Sequence, residues 1–242
     1  MNEKELKTSP KQRFFIILIA VLMLGSIIAS YAAIVAGGSS GGSTASAGDS
    51  KISEEKLAEY ESAYNAKEAE FMAVAQSDFD EFIKYKSEIK AYNEASANAD
   101  DVQVKDLKAG TGKKITSEDN NYLAYYVGWC ADESIFDSSF NNNDNPTAFS
   151  KILDASVGMI EGWNRGVEGM KIDGIREITI PGELAYGESM EICGGTNKPL
   201  KFIVMAKAKE GTLSTLASEL DEAYMRLQYA YYGIDYDEMS NS

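Results

Sequence analysis

The sequence contains no histidine. That removes Ser–His and Cys–His nucleophilic catalysis and argues against a zinc enzyme. Cysteine is nearly absent too: Cys130 and Cys193 stand far apart and leave no close-spaced metal or redox motif. Positive charge is also in short supply. Against 38 Asp and Glu there are 23 Lys and Arg, a net charge of -15. A nucleic-acid partner needs a basic face to neutralise phosphate, so none is expected. No internal repeat of solenoid length is present.

The chain does have one long apolar run. Phe14 to Ala36, "FFIILIAVLMLGSIIASYAAIVA", holds 23 residues without a charge. At about 1.5 Å per residue such a helix crosses a hydrocarbon core of about 30 Å with some tilt. Lys4, Lys7, Lys11 and Arg13 before it outweigh Glu3 and Glu5, and the next basic residue is Lys51. This asymmetry leaves the N-terminus in the cytoplasm and exports the rest. A cleaved signal peptide would have a shorter apolar core, about 7–15 residues, followed by a small-residue site. Neither feature is seen here. No cysteine follows that could carry a lipid, so an uncut single-pass anchor in the cell membrane is expected. Residues 1–13 carry +2, which leaves -17 on the remainder.

"GGSSGGSTASAGDS" then reads as a flexible spacer. "SEEK" from Ser53 is a helix start, with a capping serine and acids in the first turn. Leu57, Tyr60, Tyr64, Phe71, Val74, Phe82, Tyr85, Ile89 and Tyr92 follow as a helical stripe. Lys67 and Asp78 fall in its gaps, so it is not a clean coiled coil. Leu213, Leu216, Leu220, Tyr224, Leu227 and Tyr231 mark a second amphipathic helix, stopped by Gly233. These two helices are expected to pack on each other or on a second copy of the chain, as a homodimer. Between them the period changes to that of short strands. "VQVKDL" runs into the turn "KAGTGKK". "NYLAYYVGWCA", "TAFSKIL", "IREITI" and "LKFIVMAKA" read as further strands, 136–146 as a polar loop, and Met159 to Met170 as a short helix. The fold class is α+β, an antiparallel sheet folded over one short helix. The expected organisation is a cytoplasmic N-terminus (1–13), a transmembrane anchor (14–36), a spacer (37–52), an amphipathic helix (53–97), a central domain (101–210), a C-terminal helix (211–233) and an acidic tail (234–242).

Five segments of the central domain stand in a familiar order: "YYVGW", "IFDSS", "MIEGWNRGVEGM", "ITIPGELAYG" and "NKPLKFIV". Together they resemble the FKBP-type peptidyl-prolyl cis/trans isomerases over residues 101 to 209. The resemblance implies a bent antiparallel sheet wrapped over a single short helix. It places Trp163 at the start of that helix, as the floor of an apolar cavity open to solvent. An indole with no path to solvent would count against the activity. By the same resemblance Tyr126, Phe136 and Phe202 form aromatic walls, and Asp137 is the acid behind the pocket. The Ile160 N–H and the Tyr186 hydroxyl face substrate carbonyls. Phe149, Met159 and Ile192 are further substrate-side residues. Gly162 and Gly166 allow close approach of helix and sheet. Three departures from the family pattern stand out. "FNNND" lacks the usual basic partner of Asp137. A second phenylalanine near Thr147 is missing. The loop "ESMEICGGTNKP" replaces the family's Gly-Ile-Pro-Pro rim, with Ile192 as the apolar substitute. Both cysteines fall near the pocket's edge, where two free thiols are the simpler expectation and a disulfide the alternative.

The chemistry implied needs no cofactor, metal or nucleophile. An amide resists rotation by about 18–20 kcal/mol through resonance, and X–Pro bonds exchange over tens to hundreds of seconds. An apolar aromatic cavity favours the twisted, less polar amide over the planar one. The expected function is a membrane-anchored extracytoplasmic isomerase acting on proline-containing unfolded or exported polypeptides. Two alternatives stand beside it: a non-catalytic binding module on the same fold, and a surface protein that self-associates through its helices.

Overall fold

The computed structural model describes residues 52–118, 120–156 and 158–237. The predicted anchor at 14–36 lies outside them. Among the described residues, no helix is long and apolar enough to cross a membrane.

Helix α1 (Glu54–Phe82) begins where expected. The Ser53 hydroxyl accepts the Lys56 N–H at 3.2 Å, with Glu54 and Glu55 in the first turn. The expectation of a helix over 53–97 needs correction at its far end. Past Phe82 the chain tightens into a 3-10 turn over Ile83–Glu88 and becomes extended at Ile89. It re-forms only as the short helix α2 (Glu94–Ala97). Tertiary bonds account for the break. The Tyr92 hydroxyl donates to the Pro199 carbonyl at 2.8 Å and its N–H to the Ala131 carbonyl at 3.1 Å. The Trp129 indole N–H donates to the Lys90 carbonyl at 3.0 Å. These sheet-edge bonds compete with the intrahelical ones.

Six strands follow: β1 (Gln103–Lys108), β2 (Tyr122–Trp129), β3 (Ile135–Ser138), β4 (Leu153–Asp154), β5 (Ile175–Ile180) and β6 (Leu200–Ala208). Helix α3 (Glu161–Val167) lies between β4 and β5, and α4 (Gly211–Tyr231) follows β6. The main path of the sheet is β1-β5-β6-β2-β3, with β4 paired to β2 off it, and every pairing is antiparallel. Two sequence expectations fail locally. Phe136 to Ser138 lie in β3 where a polar loop was expected, and of "TAFSKIL" only Leu153 joins a strand, β4.

Alternation along the strands divides the core into two layers. On one face Leu123, Tyr125, Val127, Trp129, Ile203 and Met205 pack against Phe71, Phe79 and Phe82 of α1 and Leu216 and Leu220 of α4. On the other, Tyr122, Ala124, Tyr126, Ile178, Ile180, Phe202 and Val204 pack against Trp163 and Val167 of α3. The two amphipathic helices therefore meet each other, and the sheet, within one chain. Tyr64 and Tyr224 meet in a tilted contact at 6.1 Å, and Lys67 Nζ bonds Glu219 Oε2 at 2.8 Å. Two stripe positions point away from the core: Val74 is 43% and Tyr231 42% exposed.

α3 is short, and backbone contacts fix its seat. Gly162, Trp163, Gly166 and Val167 form its buried face. A Cβ at Gly162 would lie 2.2 Å from Ile180 Cγ2, and one at Gly166 2.4 Å from Ile178 Cγ2. Only glycine permits this approach to β5. The C-terminal end is held by Arg176, whose guanidinium donates to the carbonyls of Gly166 at 2.9 Å and Glu168 at 3.1 Å.

Cys130 and Cys193 are joined in a disulfide, with Cα atoms 5.4 Å apart. The simpler expectation of two free thiols is overturned. The bond ties the end of β2 to the loop that follows Tyr186.

Candidate active site

The site sits on the α3 face of the sheet, and β2 organises it. Tyr126 and Gly128 are alternate residues pointing to that face. Gly128 is paired with Phe202 of β6 on one side and Asp137 of β3 on the other. A Cβ at Gly128 would stand 2.6 Å from Phe136 Cζ and 2.7 Å from Phe202 Cε1. The missing side chain is the space these two rings occupy. Phe136 is the extra residue of a β-bulge: Gly128 opposes Asp137 and Trp129 opposes Ile135. The bulge turns Phe136 onto the same face as Asp137, which strict alternation would forbid.

The rings form a chain of edge-to-face contacts. Phe136 meets Phe202 at 5.5 Å, Phe202 meets Trp163 at 5.3 Å, and Tyr126 meets Trp163 at 5.8 Å. Such pairs are favourable beyond their buried area. The polar element stands beside them. The Tyr126 hydroxyl donates to Asp137 Oδ2, and Lys151 Nζ bonds Asp137 Oδ1 at 2.7 Å. Burial first, then the Asp137 charge, pushes the Tyr126 hydroxyl well above its ordinary pKa, so it stays protonated and can donate. Burial and Asp137 likewise push Tyr186 up to about 12. Ile160 caps α3 from outside. Its carbonyl accepts the N–H groups of Trp163 and Asn164, while its own N–H donates to no protein group among the described residues.

The structure thus brings together Tyr126, Phe136, Asp137, Trp163 and Phe202. Met159, Ile160, Tyr186 and Ile192 are partly buried around the same cluster. Phe149 does not belong. It lies on the opposite face, fully buried, stacked on Tyr125 at 4.1 Å and edge-on to Phe79 at 5.4 Å. Its assignment as a substrate-side residue is corrected to core of the α1 layer. The open floor is corrected as well. Trp163 is 1% exposed, closed over by its neighbours in this conformation. Five residues at the edge of the cluster, Phe136, Met159, Ile160, Tyr186 and Ile192, retain partial exposure.

Sequence reasoning missed Lys151. It sought the basic partner of Asp137 a few residues on, yet the cation comes from 14 positions later. A signal existed, since Lys151 is the sole cation between Asp137 and Trp163. The Lys151 side chain is 43% exposed and Asp137 19%, so the pair is partly screened. Lys151→Met should lower kcat/KM for a prolyl peptide about fivefold, as expected for losing a half-exposed charged bond worth about 1 kcal/mol. Lys151→Arg should restore most of it. Unchanged kinetics in the Met variant would show that Asp137 holds Tyr126 unaided.

Comparison with known proteins bears on the same segment. The profile of a family described as FKBP-type peptidyl-prolyl cis-trans isomerase matches residues 112–207, which contain every site residue named above. The chain is 35% identical over 85 residues to an FK506-binding protein of Neisseria meningitidis serogroup B, across 35% of this chain and 72% of that one. It is 37% identical over 89 residues to an FK506-binding protein of Streptomyces anulatus, across 36% of this chain and 68% of that one. A crystal structure of a peptidyl-prolyl cis-trans isomerase from Pseudomonas syringae pv. tomato str. DC3000 matches at 26% identity with a TM-score of 0.35, covering 61% of this chain and 93% of that one.

Proposed function

This chain belongs to the FKBP-type peptidyl-prolyl cis/trans isomerase family, and from that premise we propose that it is a membrane-anchored isomerase acting on proline-containing polypeptides outside the cytoplasm. The observation that carries the catalytic part is the aromatic cluster itself. Tyr126, Phe136, Trp163 and Phe202 converge on one face, with Asp137 holding the Tyr126 hydroxyl. A prolyl ring seated among these rings leaves water. The amide then rotates where its planar, strongly dipolar form is poorly solvated and its twisted form loses little. The Ile160 N–H and the Tyr186 hydroxyl would hold carbonyl oxygens during the turn, while the Tyr126 hydroxyl proton stays committed to Asp137. Because Trp163 is covered, substrate has to enter past the part-exposed edge of the cluster, where Phe136, Met159, Ile160, Tyr186 and Ile192 lie. No bond is broken, so neither histidine nor metal is called for.

Anchoring rests on the sequence: the uncharged run 14–36, its basic flank and the spacer 37–52. The test is a soluble chain, residues 38–242, assayed on a Leu-Pro peptide. It should accelerate isomerisation and stay out of the membrane fraction, whereas the full chain should sediment with membranes. A rate equal to the uncatalysed one would remove the enzyme, and a full chain found free in solution would remove the anchor. The altered rim loop, "ESMEICGGTNKP", favours a second reading, a module that grips unfolded segments without turnover. Binding to an unfolded client without any acceleration of its prolyl steps would establish that reading instead.

A further inference from the structure

The buried indole is held by a residue with no part in the scheme so far. The Trp163 indole N–H donates to the Tyr122 hydroxyl at 2.8 Å. Both side chains are 1% exposed, so water cannot substitute for either partner. An indole N–H left unpaired at such a depth incurs its full desolvation cost. The bond therefore selects one rotation of the ring. The same strand supplies the rest of the seat. Tyr122, Ala124 and Tyr126 are alternate residues of β2 facing α3. Ala124 is paired with Ala206 of β6, and both are fully buried. Two methyl groups thus lie side by side between the tyrosines, leaving room on this face for a bulky ring. Tyr122 fixes the indole by its N–H, while Tyr126 and Phe202 meet it in T-shaped contacts at 5.8 and 5.3 Å.

We propose that Tyr122 is a positioning residue for the isomerase reaction, setting the orientation of the Trp163 indole without touching substrate. The assignment rests on the isomerase reading above. It makes the floor rigid: a ring held only by dispersion could tilt when a prolyl ring enters, whereas one pinned at its N–H presents a fixed surface. The hydroxyl is the acting group, so Tyr122→Phe keeps the ring's volume and removes only the acceptor.

The experiment uses the soluble chain, labelled with nitrogen-15, and reads both indole N–H resonances. Trp129 is the internal control, because its N–H donates to the Lys90 carbonyl on the other face of the sheet. In Tyr122→Phe the Trp163 resonance should shift and exchange faster with solvent, the Trp129 resonance should stay, and kcat/KM should fall about five- to tenfold. In a Trp163→Phe background, which has no indole N–H, adding Tyr122→Phe should cost no further activity. Full activity despite a shifted Trp163 resonance would overturn the assignment. So would an equal movement of both indole signals, which marks general loosening, or an undiminished loss in the Trp163→Phe background. A parent chain without isomerase activity would remove the isomerase reading. The cycle, read then as prolyl-peptide affinity beside the two resonances, would still decide whether Tyr122 sets the indole.

Discussion

Trp163→Ala is expected to reduce kcat/KM on a Leu-Pro peptide at least about a hundredfold, equivalent to roughly 2.7 kcal/mol of barrier. The same substitution should cost about 3–5 kcal/mol of stability, because it empties a large, closed site in the core. Trp163 is 1% exposed, bonded at its N–H and in T-shaped contact with two rings. The two effects need separating, and their sizes allow it. Small domains hold about 5–15 kcal/mol, so the variant should remain folded at low temperature. Activity measured there, with circular dichroism confirming the fold, reports the floor itself. Trp163→Phe should lie between, losing the N–H bond and part of the surface but keeping an aromatic face. Near-normal kcat/KM in a folded Trp163→Ala variant would mean that the prolyl ring binds elsewhere.

The residues most legible from sequence were those whose environment is set by near neighbours. β6 was read as "LKFIVMAKA" and occupies those residues, Leu200 to Ala208. Gly162 and Gly166 were read as close-approach positions, and β5 lies against both. What was misread depends on distant partners. Phe149 sits in a stretch that gives no clue to its face. Its burial follows from Phe79 and Phe82, which arrive on α1 from far earlier in the chain. Lys151 was passed over because an ion pair constrains space and not sequence spacing. The periodic stripe from Tyr85 to Tyr92 is real as a set of apolar contacts, but the bonds from Tyr92 and Trp129 pull it out of the helix. Periodicity reports which residues are buried. It cannot report when a tertiary hydrogen bond outcompetes the next helical one. The covered floor is of the same kind. The motifs place Trp163 as an open floor, while its exposure depends on rings such as Tyr126 and Phe202 that reach it from other strands.

Removing the disulfide should also destabilise the fold as a whole. Cys130 and Cys193 are separated by 63 positions. In the chain-entropy picture a closed loop of that size restricts the unfolded state by about 4 kcal/mol. The loop carries Phe136, Asp137, Trp163, Tyr186 and Ile192, so the cross-link confines much of the site before it folds. A second effect arises in the native state. Between Tyr186 and Asn197 several backbone bonds are internal to the loop: Ser189 N–H to the Tyr186 carbonyl at 3.1 Å, Ile192 to Gly195 at 2.9 Å, and Asn197 to Gly187 at 2.7 Å. The disulfide fastens this loop to β2. Cys130→Ser with Cys193→Ser should therefore lower the urea midpoint by the equivalent of roughly 2–4 kcal/mol. It should raise KM several-fold through a loosened Ile192 and leave kcat nearly unchanged. Thiol reduction of the parent chain should do the same. The requirement also bears on where the protein works, since such a bond persists in oxidising compartments and is rare in the cytosol. That agrees with the proposed export of everything beyond residue 36. Equal midpoints and equal KM in the oxidised and reduced chains would show the cross-link to be dispensable, and would take away the support it lends to the proposed extracytoplasmic location.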